Sequence, residues 1–341
     1  MELIIKPTER CNFKCSFCSS TNIADDRKSV LSHEKIFQFL KRYPETSTII
    51  VNGGDPLMMP PEYYFEILDY IEANGLNTNV SLTSNLWAFY KNPKRWAPLF
   101  RHPLVGVTTS FHYGNTRKIT HDRVFKEEDF LRISQMFLDE VGYRPDFISV
   151  ITNDNFDNCM NNVYLAQKLN VECKLNYALM SGDQSEPFLK GKIYSVYLEI
   201  IEKGLHPWEY NSKQLLNMKR SLSTTCPLNR SCDTSIRALQ PEGDYYSCGA
   251  FGDDRLFEIS FDKEVVQSGP RDTPLASAQG IQFMKEDCLS CPLFNICNGC
   301  KKTIHDVKKM GWVELHCAEM MKNGKKLAAI IHNEKEHHLI N

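Results

Sequence analysis

No stretch of this chain strings together the roughly 18 apolar residues that a helix needs to cross a bilayer. Its opening residues, Met1-Glu2-Leu3-Ile4-Ile5-Lys6-Pro7, are too few and too polar for an export signal. Net charge is only −2, so no strong field of either sign draws nucleic acid or an anionic membrane. Low-complexity tracts and sequence repeats are missing as well. These absences speak against a membrane span and a nucleic-acid partner. They make the cytoplasm the expected location, where thiols stay reduced and structural disulfides are rare.

Against that background cysteine is abundant. The 341 residues carry 13 cysteines, an odd number that does not suit a disulfide framework. All but Cys159 and Cys173 fall into two groupings, Cys11 to Cys18 and Cys226 to Cys317. Such clustering in a reduced compartment reads as metal binding. Cys159 and Cys173 are read as core residues.

The length suits one large α/β domain with a smaller one. Short β-branched runs alternate with helical patterns up to about residue 203: 2–6, 47–51, 79–83, 105–110, 147–152 and 173–179. The clearest helix is expected over 127–141, where Phe130, Ile133, Phe137 and Val141 share a face and Gly142 ends the pattern. Another is expected over 193–203. Alternation of this kind implies a parallel sheet with binding groups at the C-terminal ends of its strands. Six units are too few for a closed eight-stranded barrel, so the expected fold is α/β, a partial (β/α)6 barrel. It is expected over residues 1–205, with 206–225 as a bridging segment. Residues 226–341, rich in cysteine and turn residues, form a second domain that depends on metal for its fold.

The first cysteine grouping reads Cys11-Asn-Phe-Lys-Cys15-Ser-Phe-Cys18 and closely follows the first strand. Three thiolates so spaced can hold three irons of a cubane and leave the fourth open for catalysis. A zinc site is the alternative, with His33 as a modest fourth ligand. This motif resembles that of the radical S-adenosylmethionine (SAM) superfamily. The resemblance implies a [4Fe–4S] cluster on Cys11, Cys15 and Cys18, whose open iron chelates SAM. Reductive cleavage then gives a 5′-deoxyadenosyl radical.

Further positions follow the same family. Phe17 stands where an aromatic residue lies beside the adenine. Asn52-Gly53-Gly54-Asp55-Pro56 resembles the Gly-Gly-Glu-Pro element that binds the cofactor's amino group, with Asp55 one methylene shorter than the usual Glu. Thr83-Ser84-Asn85 partly matches the element near the ribose. Ser110, and with it Arg123, are candidates for the cofactor's carboxylate, with a structural role as the alternative. His112 is a candidate for the substrate cavity, or a hydrogen-bonded structural residue.

Taken alone, the second grouping is as readily a pair of zinc ribbons as anything else. Its order and spacing resemble the SPASM domain, which carries two auxiliary [4Fe–4S] clusters, and Gly243 stands where that signature has a glycine. The resemblance implies Cys226, Cys232, Cys248 and Cys300 on one cluster and Cys288, Cys291, Cys297 and Cys317 on the other. Only two residues separate Cys297 from Cys300, one fewer than the pattern, which weakens the assignment of Cys300.

SPASM enzymes mostly modify peptides. Sulfatase maturases place an Asp directly after the third SPASM cysteine, and Gly249 stands there in this chain, which lowers that subclass. The expectation is an oxidative modification of a ribosomally made peptide, a crosslink or related C–H functionalisation. The first strand starts at residue 2, leaving no room ahead of it for a leader-recognition domain, so a separate leader-recognition protein is an expected partner. A flavodoxin- or ferredoxin-type electron donor is another. The alternatives are a dehydrogenase of a sugar-like or aminocyclitol alcohol, and a zinc-dependent scaffold without catalysis.

Overall fold

The computed structural model describes residues 1–18, 29–179, 181–218, 236–246, 258–262, 291, 293 and 306–337. The β-branched runs form parallel strands close to their expected bounds: β1 (Glu2–Ile5), β2 (Thr48–Val51), β3 (Asn79–Thr83), β4 (Val105–Ser110), β7 (Asp146–Ile151) and β8 (Cys173–Tyr177). They lie side by side in chain order. Parallel strands added in sequence wind as a barrel does, whereas a doubly wound sheet reverses direction. The fold is therefore the expected α/β partial barrel.

The chain divides into two compact units. The first comprises residues 1–148, 181–183 and 233–271. Its register is set by alternating burial: Leu3 pairs with Ile49, Ile49 with Val80, and Val80 with Val105. All four are buried. Helices α1 (His33–Arg42), α2 (Pro61–Ala73), α3 (Trp87–Lys91), α4 (Pro93–Phe100) and α5 (Glu127–Val141) connect the strands. In α5, Phe130, Ile133 and Phe137 are buried, and Phe137 lies 5.4 Å from Phe100 and 5.2 Å from Phe89 between ring centres. Gly142 stops α5 at φ 102°, a left-handed conformation in which a side chain is strained.

Two features of this unit lie outside the alternating pattern. A short hairpin, β5 (Lys118–Thr120) and β6 (Arg123–Val124), follows β4. On the other edge, β9 (Ile236–Leu239) pairs parallel to β1, and β10 (Tyr245–Tyr246) returns antiparallel to β9. The Pro241-Glu242-Gly243-Asp244 turn joins them, with Gly243 at φ 87° donating to Gln240 O at 2.8 Å.

The second unit comprises residues 149–180, 184–232 and 272–341. It holds β8 with helices α6 (Cys159–Leu169), α7 (Gly191–Glu202), α8 (Tyr210–Met218) and α9 (Val313–His337). Helix α7 starts and ends close to its expected bounds. A Cβ at Gly191 would lie 2.4 Å from the Glu319 carbonyl carbon, so α7 and α9 cross at backbone contact. Glu209 ties β8 to the start of α8: its buried carboxylate accepts from Leu175 N, Asn211 N, Ser212 N and Ser212 Oγ. Cys159 and Cys173 are buried, as core residues. Among the described residues, no helix is long and apolar enough to cross a membrane.

Candidate active site

The first unit brings the three N-terminal cysteines together with the strand ends predicted to serve them. Cys15 is buried, Cys11 and Cys18 are half-buried, and none of the three is in a disulfide. The loop that carries them is fixed to the β5–β6 hairpin: Lys14 N donates to Lys118 O at 2.8 Å and Ser16 N to Thr116 O at 3.0 Å. Within the loop, Phe13 N donates to the Cys11 sulfur at 3.4 Å.

The Gly-Gly-Asp-Pro segment after β2 grips the same loop from the other side. Gly54 N donates to Thr8 O at 2.9 Å and Asp55 N to Arg10 O at 2.8 Å. A Cβ on Gly54 would stand 2.1 Å from Arg10 O and 2.3 Å from Glu9 O. Gly53, at φ 126°, leaves a similar gap of 2.5 Å to Thr8 O. In this structure the two glycines therefore allow one backbone to cross another directly before Cys11.

Asp55 is turned inward. Its carboxylate accepts from Leu57 N at 2.9 Å, from Asn85 N at 2.8 Å and from Ser84 Oγ at 3.0 and 3.1 Å. Burial pushes its carboxyl up to about 6, against those hydrogen bonds and the Arg117 charge. Asn85 in turn reaches Asn12 Oδ1 at 2.7 Å and the Cys11 sulfur at 3.8 Å. Ser84 and Asn85 thus belong to the site with Asp55. Ser110 is half-buried at the end of β4.

Arg123 goes elsewhere. It is half-exposed on β6, held by Asp129 at 2.8 Å, and its guanidinium lies 5.3 Å from the Trp87 ring centre. Among the described residues, the cation whose charge reaches Cys15 is Arg117, six residues earlier and buried. Its charge bears on both Cys15 and Asp55, its guanidinium lies 5.4 Å from the Phe17 ring centre, and its buried Nε has no hydrogen-bond partner among the described residues. His112 is fully buried, 5.3 Å from the Phe17 ring centre, with Nε2 at 2.9 Å from Thr116 Oγ1. Burial, reinforced by Arg117, holds its pKa well below the usual histidine range. His33 is occupied by Tyr63 O at 2.9 Å and Glu66 at 3.0 Å.

A strap that the sequence did not single out closes over the loop. Ser181 Oγ donates to Phe17 O at 2.8 Å and Asp183 N to Ser16 O at 2.7 Å. Between them Gly182, at φ 61°, leaves only 2.4 Å from a would-be Cβ to Ser16 O. The signal available in sequence was a Ser-Gly-Asp turn, which says nothing of where the turn docks.

The donor set fits an iron–sulfur cluster. Burial, together with the charges of Asp55, Cys15 and Cys18, pushes the Cys11 thiol far up, and burial raises Cys15 too. Three thiolates gathered there need a cation to balance them. A zinc site would need a fourth ligand beside the three sulfurs, and His33 is held by Tyr63 O and Glu66 instead. A cubane takes three thiolates, one on each of three irons.

Comparison with known proteins decides the family. The sequence matches the radical SAM superfamily over residues 5–190. The chain belongs to that superfamily. It is an enzyme, and its family implies a [4Fe–4S] cluster and SAM. The chain is 20% identical to the cysteine-type anaerobic sulfatase-maturating enzyme of Clostridium perfringens (strain 13 / Type A), over 93% of this chain and 92% of that one. A 90-residue segment is 31% identical to GTP 3′,8-cyclase of Staphylococcus epidermidis, covering 23% of this chain and 26% of the cyclase.

Among solved structures, native anSMEcpe with bound AdoMet and the Cp18Cys peptide superimposes with a TM-score of 0.68 at 16% identity, covering 97% of this chain and 99% of that one. Streptococcus suis SuiB bound to its precursor peptide SuiA gives 0.53 at 15% identity, over 87% and 70%. At these identities the likeness is one of fold. Of the eight cysteines predicted to hold auxiliary clusters, Cys291 and Cys317 are described and half-buried. Cys226, Cys232, Cys248, Cys288, Cys297 and Cys300 lie outside the described residues, as does Gly249.

Proposed function

We propose that this radical SAM enzyme oxidatively modifies a ribosomally made peptide, by a crosslink or a related C–H functionalisation. The observation that carries the reading is the three-cysteine loop, in a chain that follows the fold of peptide-bound anSMEcpe along nearly its whole length. The peptide held by SuiB supports the same substrate class.

In this reading Cys11, Cys15 and Cys18 hold the cluster, and Phe17, Gly53, Gly54, Asp55, Ser84 and Asn85 surround the cofactor. When bound, cluster and cofactor supply a 5′-deoxyadenosyl radical able to abstract hydrogen. The chain's own residues bind and shield. Arg117, with Ser110, orients the cofactor through its carboxylate, since a buried guanidinium whose Nε has no partner among the described residues is suited to an anion. Phe13, Trp87 and Phe125 pack together beside the loop, with Phe13 lying 6.0 Å from Trp87 and 5.2 Å from Phe125 between ring centres. They keep water from a site where a reactive species must survive. The eight C-terminal cysteines hold two auxiliary clusters in residues 226–341. A flavodoxin- or ferredoxin-type donor and a separate leader-recognition protein complete the system.

The test is co-expression with short peptides encoded beside the gene, followed by mass spectrometry. The expected product is a peptide lighter by two hydrogens. Unmodified peptides, together with oxidation of a cyclitol or sugar alcohol by the same preparation, would contradict the peptide reading.

A further inference from the structure

The segment after β3 is held more firmly than a loop near a ligand requires. Asp55 fixes Ser84 through both carboxylate oxygens and Asn85 through its backbone N–H. Ser84 Oγ then accepts from Leu86 N at 2.9 Å, and Asn85 Oδ1 accepts from Trp87 N at 2.8 Å. Leu86 sits between these bonds at φ 58°. A bulky residue in the left-handed region is strained and persists only where its surroundings impose it. Because the carbonyl end of Asn85 is committed to Trp87 N, its NH₂ end is committed to the opposite side. There it meets Asn12 Oδ1 at 2.7 Å and the Cys11 sulfur at 3.8 Å. Asp55, Ser84 and Asn85 are all buried, so these bonds are not exchanged with solvent.

We propose that Asn85 is a positioning residue for the cluster: aimed by the Asp55–Ser84 clamp, its amide N–H donates to the Cys11 sulfur and raises the cluster's reduction potential. The proposal rests on the reading that Cys11, Cys15 and Cys18 hold a [4Fe–4S] cluster. Reduction adds negative charge that spreads onto the ligating sulfurs. A hydrogen-bond donor at one sulfur stabilises the reduced form more than the oxidised form, which moves the potential upward. Asp55 contributes by holding the donor in place, a role suited to its short side chain and to its carboxylate being fully engaged with Leu57, Ser84 and Asn85.

The test is the midpoint potential of the cluster whose EPR signal responds to SAM, titrated in the full-length, anaerobically reconstituted protein. Asn85→Ser keeps a short oxygen for Trp87 N but cannot reach Cys11. The expected result is a more negative potential, with the Fe–S(Cys) stretching bands in the resonance Raman spectrum moving to higher frequency. Unchanged potential and unchanged bands would overturn the proposal. Asn85→Ala, also without the donor, repeats the comparison should the serine variant take up less iron. Asn85→Gln keeps an amide and is expected to lie between the serine variant and the wild type; a potential below that of the serine variant would also overturn the proposal. Wild-type protein with no SAM-responsive cluster signal would instead overturn the cluster reading on which the proposal stands.

Discussion

Arg117 and Arg123 lie six positions apart in sequence, and only one of them faces the cysteines. Arg123 is neutralised at the surface by Asp129, whereas Arg117 is buried beside Cys15, Asp55 and Phe17. Removing a charged hydrogen-bonding group from a binding site costs about 1.5–3 kcal/mol, or about ten- to hundredfold in affinity. Arg117→Ala is therefore expected to weaken SAM binding by that factor in anaerobic equilibrium dialysis. Arg123→Ala loses only a solvent-exposed ion pair, and its affinity is expected to stay within about twofold. Equal losses in the two variants would contradict the placement. Sequence located the cysteines, the Gly-Gly-Asp-Pro element and Ser84-Asn85, because each motif sits directly after a strand. The direction of a single arginine depends on the β5–β6 hairpin, which has no periodic signal of its own. The inward turn of Asp55 was equally hidden, since it depends on donors about thirty residues away at Ser84 and Asn85.

At the scale of elements, the strands and the 127–141 helix were legible because burial imposes a period on them. Strands β9 and β10 were not, because β9 is buried on every residue and β10 is two residues long. The connection between β8 and α8 was also hidden. Glu209 lies in a weakly patterned segment, yet its carboxylate is buried among three backbone donors and Ser212. Burial raises its pKa above the ordinary glutamate value of 4.5. A folded-state pKa raised in this way means that the native state binds more protons than the unfolded chain. The carboxyl's contribution to stability is then greatest at low pH and declines as pH rises from about 4.5 upward. Glu209→Gln does not titrate and turns an NH₂ toward donors, at a cost of about 1–3 kcal/mol. The stability difference between wild type and Glu209→Gln, followed by thermal unfolding, is expected to narrow as pH rises through that window. A gap that widens with pH would contradict the burial argument.

For the molecule as a whole, a reactive loop is clamped by parts of one unit that are distant in sequence. Residues 53–55, Thr116 and Lys118 at the entry to the hairpin, and the strap at 181–183 all bond to residues 8–18. In sequence the C-terminal cysteines are expected to bind metal, and six of the eight lie outside the described residues. The central claim is that Cys11, Cys15 and Cys18 make this chain a SAM-cleaving enzyme. Its most direct test is the yield of 5′-deoxyadenosine from SAM and a low-potential reductant, read by chromatography. Wild type is compared with the variant carrying Cys11→Ala, Cys15→Ala and Cys18→Ala. The account predicts 5′-deoxyadenosine from the wild type and none from the triple variant, which still retains the iron bound elsewhere. Equal yields from both proteins, or none from fully reconstituted and reduced wild type, would contradict it.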